Sequence, residues 1–503
     1  MSGHAQSLVP PLSDTTQPGP FDSTKDEKHS STRAISMVES DETGYDTRFM
    51  RRTMLWLDIR ILPMLSLVYS FALIDRINLG SAYAAGMDVT LGLREGARFS
   101  LVTLLFFIPY TLLQLPGNLV LRRVGVRNWL SFLIFAWGTV QLGMGFVDTW
   151  TELLGTRILL GVFEAPFFPA MFWLISAWYK RHEVQKRLAA FYLLSVTASG
   201  LSPLLAYGLS FLDGRGKLEG WRWIFASCRH SRLTVVEGLI TIFLAVVCFL
   251  FVPGFPEEAK FLDEKQRRFV LERINEDRGD ALPDEITKEK VFKHLRDWTL
   301  WAYGFIFMCA AMPNYAQSIF TPIILRGMGY EAKDALLRTV PPYIASIPTT
   351  ILVAWLADRH KHRSSYILLT CCICTVGSGI TAWHPSHHVR YFGVFLTNIG
   401  SAGSVPTFLA YSANNVVGHS KRSVQSALMV GFGSVGGMLA AACFRSQDDP
   451  RYVPGLVATM VSQALLVVVV GVLTARHMYW NKRAREGRLC EPLEGQPGFY
   501  YTL

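Results

Sequence analysis

Apolar runs long enough to cross a lipid bilayer recur twelve times along this chain, and few folds are open to such a sequence. They fall at 57–82, 97–119, 128–147, 150–179, 187–211 and 235–253, then at 299–320, 338–357, 365–383, 390–411, 423–444 and 454–477. A hydrocarbon core of about 30 Å is crossed by about twenty helical residues, and a helix satisfies its own backbone there. The runs therefore predict an all-α membrane protein of twelve transmembrane helices. They divide into an N-terminal half at 55–253 and a C-terminal half at 298–477, joined by a polar linker at 254–297. A tail rich in Ser, Thr, Asp and Pro at 1–54 reads as disordered, with no apolar segment of a signal peptide, and a basic tail follows at 478–503.

Composition fits: the chain is 50% hydrophobic, 17% charged and has a mean hydropathy of +0.26. A net charge of +10 raises the question of nucleic acid, but the basic residues sit in short clusters between apolar runs. Loops carrying Arg122, Arg123 and Arg127, then Lys180 and Arg181, then Arg359, Lys361 and Arg363, alternate with loops poorer in basic residues. The positive-inside rule then places both termini and the linker in the cytoplasm. Arg215, Lys217, Arg222, Arg229 and Arg232 run against it, on the predicted outside. In the linker, Phe261, Leu262, Phe269, Val270, Leu271 and Ile274 recur at near-helical spacing, which predicts an amphipathic helix against the cytoplasmic face. Most of the eight cysteines lie inside spans and read as small apolar side chains, and no metal-ligand spacing appears.

Charges inside the apolar runs carry the functional information. Asp75, Arg76 and Asn78 follow one another within a turn of the first run, and Arg157 and Glu164 lie in the fourth. A charge at the bilayer centre costs about 2.5–3.5 kcal/mol on insertion scales unless it is paired or faces water. Arg157 and Glu164 are seven residues apart, close to two helical turns, so they share a face predicted to line a central cavity. Asp75 and Arg76 diverge by about 100° and cannot address one point. Their alternatives are an ion pair snorkelling at a helix end, or a static pair joining two helices. Tyr110 and Gln114, one turn apart between Pro109 and Pro116, are candidates for the same pocket. So are Tyr315 and Gln317 after Pro313, with Asn314 between, and Asn398 and Asn414 in the tenth run. Each of these side chains taken alone is more often a helix–helix hydrogen bond than a ligand contact. Gly433 and Gly437 predict close packing.

Two loops repeat one pattern. Gly117 stands four residues before Leu121-Arg122-Arg123, and Ala354 four residues before Asp358-Arg359. Equivalent placement suggests a parallel duplication of six-helix units, with Asp358, Arg359, Arg122 and Arg123 as candidate gate residues. The pattern resembles the loop signature of the major facilitator superfamily, although Leu121 occupies the acidic position of the first copy. The motifs at 75–80, 157–165, 220–225, 256–262 and 414–422 narrow the resemblance to the anion:cation symporter family and its fungal allantoate permease group, which includes nicotinate and pantothenate permeases. In that family the Trp221-Arg222-Trp223 motif runs almost directly into the Glu237-Gly238-Leu239 motif. Here 226–235 is extra and reads as a retained intron or misplaced splice site.

The resemblance implies a fold of two pseudo-symmetric six-helix halves. It also implies that the acids matching Asp75 and Glu164 carry protons, while the arginines matching Arg76 and Arg157 serve the anion and its coupling. The resulting expectation is a proton-coupled importer of a small organic anion, with the proton as coupling ion and the bilayer as its only other partner. No cofactor, metal or nucleic acid enters, and the chain is read as a monomer. A facilitator or exchanger, and a sensor signalling through its tails, are the rival readings. An enzyme is disfavoured, since no P-loop, Ser/His/Asp set or zinc spacing occurs.

Overall fold

The computed structural model describes residues 46–179, 183, 187, 191, 194, 197, 200–211, 221, 237–254, 256, 259, 261–279, 288–360, 362–417, 419–489, 492–495 and 499–503. The tail at 1–45 and the extra segment at 226–235 lie outside the described residues. In chain order the helices are α1 (Thr47–Ala82), α2 (Arg98–Val124), α3 (Val126–Met144), α4 (Trp150–Glu164), α5 (Phe167–Trp178), α6 (Ser202–Ser210) and α7 (Glu237–Phe251). The linker contributes α8 (Glu264–Gly279) and α9 (Lys288–Leu295). Then come α10 (Trp298–Gly327), α11 (Ala332–His360), α12 (Arg363–Trp383), α13 (His387–Asn414), α14 (His419–Cys443) and α15 (Val453–Arg485). Among the described residues, six helical stretches are long and apolar enough to cross a membrane.

By contacts the chain divides into Met1–Ile59 and Arg60–Leu503. In the first unit, α1 begins well before the apolar run, because Asp46 accepts from the Arg48 amide at 3.1 Å and starts the helix. Arg48, Arg51 and Arg52 follow, and arginine favours helix as strongly as most apolar residues do. The predicted boundary at 54 followed hydropathy, which does not register polar helical turns.

In the second unit, small residues let helices approach. A Cβ on Gly161 of α4 would lie 2.4 Å from the Phe106 carbonyl of α2, and one on Gly400 of α13 would lie 2.5 Å from the Cys374 amide of α12. The run at 150–179 is broken: α4 ends at Glu164 and α5 starts at Phe167, because Pro166 has no amide to donate and packs its ring against Gly117. The core of the C-terminal half gathers Tyr303, Ile306, Phe408, Tyr411, Leu466 and Val470. The linker helix α8 buries Phe269, Val270 and Ile274. It is pinned by Arg273, which donates to Glu183 at 3.1 Å, while Trp178 donates to the Gly254 carbonyl at 3.1 Å.

The segment after α15, read from sequence as a plain tail, folds back as a strap over the linker-side end of the C-terminal half. The Asn481 amide donates to the Tyr501 carbonyl at 2.8 Å and accepts from its amide at 2.9 Å. Asn415 does the same for Thr502, at 3.0 and 2.7 Å. The Tyr501 ring stacks on His477 at 4.5 Å, and its hydroxyl donates to Glu494 at 2.8 Å. Lys421 bridges Glu494, at 2.7 Å, to Asp297 at 2.9 Å. Burial pushes the Asp297 carboxyl up, but bonds from Thr299 and Lys421 outweigh it and hold it below the usual carboxylate range. For an acid so held, the stabilisation is present above its unfolded pKa and is lost as pH falls through the folded one. The contribution of Asp297 is therefore fully present across the neutral range. Replacing Asn415 and Asn481 together by alanine removes four hydrogen bonds. It should lower the melting temperature of the detergent-solubilised protein by roughly 3–8 °C; an unchanged melting curve would show that the strap contributes nothing to stability.

Candidate functional site

Halfway along the bundle, Arg76 of α1 is the centre of a buried cluster that joins the two halves. It is 7% exposed and forms an ion pair with Glu164, itself 3% exposed, at the end of α4. Its Nε donates to Glu164 Oε1 at 2.9 Å. Its Nη1 donates to the Tyr315 hydroxyl of α10, in the other half, at 3.2 Å. The guanidinium lies over the Tyr110 ring at 4.6 Å and near Phe106 at 5.6 Å, both from α2. Phe107 meets the Tyr315 ring edge-on at 5.1 Å. Cation–π contact strengthens when the cation is desolvated, as it is here. Glu164 is the last residue of α4, two before Pro166, and its carboxylate reaches Arg76 of α1.

Asp75 turns the other way, into the N-terminal half. It is 1% exposed, and its electrostatic neighbours are Glu164, Arg157 and Arg76, with Trp137 of α3 alongside. Arg157, 2% exposed, lies within reach of both Asp75 and Glu164. Trp137 lies within hydrogen-bonding reach of Asp75, while among the described residues Glu164 Oε2 has no hydrogen-bond partner. Two acids and two guanidiniums thus share one sealed region, with acceptor capacity left over. That arrangement suits exchange of partners more than rigid scaffolding, in which buried polar atoms are normally saturated.

The other predicted residues divide. Gln114 lies one turn from Tyr110, buried, and among the described residues its Nε2 has no hydrogen-bond partner. Asn398 is buried, and among the described residues its Nδ2 has none either. Asn78 is engaged elsewhere, accepting from Ser202 of α6 at 2.9 Å. Gln317 accepts from Thr321 at 2.9 Å within its own helix. Asn314 ties α10 to the Ser401 carbonyl of α13 at 2.9 Å. Asn414 sits at the last turn of α13, about 24 Å along the helix from Asn398, beside the strap and not in the cluster. Of the predicted gate residues, Asp358 pairs with Arg363 at 2.6 Å, and Arg363 also donates to the Ala410 carbonyl at 2.7 Å. These bonds lie within the C-terminal half. Arg359 lies over Trp355 at 5.1 Å, Arg123 is exposed, and the Arg122 side chain lies outside the described residues.

A seal that the sequence reading missed closes the opposite end. Asp88, fully buried after the π-helical turn Tyr83–Met87, pairs with Arg94 at 2.6 Å and with Arg326 of α10 at 3.0 Å. Arg326 also donates to the Tyr83 carbonyl at 3.2 Å. Tyr83 and Phe99 continue through Phe320 to Phe444, giving an aromatic layer that draws on both halves. The available signal was a lone aspartate ending an apolar run.

Comparison with known proteins agrees with this architecture. The family model described as Major Facilitator Superfamily matches residues 65–441. The chain is 30% identical over 464 residues to the major facilitator-type transporter hxnP of Emericella nidulans, covering 90% of each. It is 26% identical over 470 residues to the high-affinity nicotinic acid transporter of Saccharomyces cerevisiae, covering 92% of this chain and 86% of that one. Among solved structures, a bacterial homologue of the human lysosomal transporter Spinster, inward-facing and unoccupied, superposes with a TM-score of 0.62 at 17% identity, covering 82% of this chain and 95% of that one. The xylose transporter XylE from E. coli gives 0.59 at 12% identity, covering 82% and 98%. The twelve-helix fold of two six-helix halves, the multi-pass membrane placement and the transport of small molecules, as opposed to enzymatic chemistry, follow together. The chain belongs to the major facilitator superfamily.

Proposed function

We propose that the protein is a proton-coupled importer of a small organic anion, a carboxylate such as nicotinate, allantoate or pantothenate. It works as a monomer in the plasma membrane with both termini in the cytoplasm. The observation that carries this is Arg76, held between Glu164 and Tyr315 over the ring of Tyr110. A guanidinium flanked by aromatic faces is suited to a planar carboxylate, which it can take through two parallel hydrogen bonds. A relative 26% identical to this chain is named a nicotinic acid transporter, which points the same way.

Coupling follows from charge balance. A sealed, low-dielectric cluster holds little net charge, since an unpaired buried ion costs several kcal/mol. When a substrate carboxylate takes Arg76, Glu164 is left without its partner, and a proton restores neutrality. Each ligand then favours the other, and the coupling is reciprocal. Return to the Arg76–Glu164 pair expels both. Asp75 is the neighbouring carboxylate through which the proton is passed, and Arg157 beside it balances its charge.

The test is uptake of labelled carboxylates by transport-deficient yeast expressing the protein at pH 5 and pH 7. Accumulation against a gradient at pH 5, collapsed by a protonophore, is the expected result. Uptake that only equilibrates, with no acid stimulation, would assign the protein to the facilitators.

A further inference from the structure

Where the linker enters the C-terminal half, α10 and α15 leave an apolar groove of about 370 Å³ between them. One wall is Trp298, Trp301, Ala302 and Phe305, at the helical spacing of a single face; the other is Val469 and Val472. Trp298, Trp301 and Val472 are 51%, 44% and 53% exposed, so the groove opens outward from the bundle. It runs about 10 Å along α10, from the first residue of the helix inward. Trp298, at its mouth, occupies the position where tryptophan meets a membrane–water boundary.

Charge sits at that mouth and nowhere deeper. The Arg476 guanidinium lies 5.8 Å from the centre of the Trp298 ring, one turn beyond Val472 on α15. Among the described residues no carboxylate forms an ion pair with it, and the nearby Asp297 is occupied by Lys421 and Thr299. On the approach, α9 carries Lys288, Lys290 and Lys293, and Arg296 follows it. Phe292 of the same helix is 68% exposed, as for a helix resting on lipid.

We propose that this groove is a binding site for an anionic glycerophospholipid of the leaflet facing the linker. One acyl chain lies against Trp301, Ala302, Phe305 and Val469, and the net-negative headgroup rests on Arg476. A sterol would fill the groove but leave the guanidinium unmatched, a zwitterionic lipid would set its own cation beside the phosphate and against Arg476, and a second copy of the chain would bring the same basic surface to face itself. The site is continuous with the strap, since Arg476 also lies 5.6 Å from the Tyr501 ring.

Native mass spectrometry of the full chain, with palmitoyl-oleoyl phosphatidylserine or phosphatidylcholine added to the micelle, tests this. One basic residue near an anionic headgroup gives about fivefold preference, so phosphatidylserine should bind at least that much more tightly. Arg476→Gln should reduce phosphatidylserine to the level of phosphatidylcholine. Ala302→Trp fills the groove and should lower binding of both lipids. Tyr501→Ala, which loosens the strap while keeping Arg476, should retain the preference. Equal binding of the two lipids by the unaltered protein, a preference unchanged in Arg476→Gln, its loss in Tyr501→Ala, or a dimer in place of a lipid adduct would each overturn the proposal.

Discussion

Glu164→Gln is expected to abolish accumulation of substrate against a gradient while leaving substrate binding largely intact. Glutamine keeps the shape of the side chain and its hydrogen bond to Arg76 but removes the charge that the substrate must displace. Arg76 is then available at every pH, and binding no longer requires a proton. The unaltered protein should bind its substrate more tightly at pH 5 than at pH 7, by roughly 5–150-fold if the coupling energy is typical. The variant should show a flat profile, and exchange of labelled for unlabelled substrate should persist while net uptake falls. Asp75→Asn should slow net uptake with a smaller change in binding, because Asp75 is an electrostatic neighbour of Arg76 and Arg157 but it is Glu164 that holds the Arg76 guanidinium by hydrogen bonds. Arg76→Lys should lose binding itself, since a point charge does not reproduce the planar fork or its stacking on Tyr110. If accumulation survives neutralisation of Asp75 and Glu164 together, the coupling scheme is wrong, whatever the substrate.

The fold and the location of this site were legible because their signals are local. Apolar runs report spans, and charges that violate them report a buried cluster; Asp75, Arg76, Arg157 and Glu164 all emerged that way. Pairing was not legible. Adjacency on one helix already kept Asp75 from meeting Arg76, but only the packed helices show that Glu164 is the acid that does. Helical periodicity gives a face and not an occupant, so Asn78 and Gln317 looked free although Ser202 and Thr321 hold them. Asp88 escaped because its partner Arg326 lies far away in sequence, and a single acid at the end of an apolar run reads as loop. The strap is invisible for the same reason. Tyr501 and Thr502 carry no periodic pattern, and their partners Asn415 and Asn481 stand 87 and 20 residues away in the chain.

Gly80→Val is expected to eliminate transport without changing any charged residue. Gly80 of α1 lies one turn beyond Arg76, and Ile319 of α10 lies one turn beyond Tyr315, so the two contacts are successive rungs between the same pair of helices. A Cβ at Gly80 would fall 1.7 Å from the Ile319 carbonyl oxygen, which is backbone and cannot rotate aside. The helices must part by about 1.7 Å or more to restore ordinary contact. A displacement of that size removes the 3.2 Å bond from Arg76 to Tyr315 and opens the seam between the halves. Overpacking of this kind costs about 1–3 kcal/mol. That amount shifts the balance between two conformations by roughly 5–150-fold without unfolding the chain. Alanine at the same place should lower uptake by about tenfold, and valine should leave none, with the amount of protein in the membrane preserved. Alanine at Gly155 or Gly471, where an added Cβ meets nothing within 4 Å, should be neutral. Normal uptake by Gly80→Val would mean that the α1–α10 seam is not held this tightly during the cycle, and that Tyr315 does not contribute to the site.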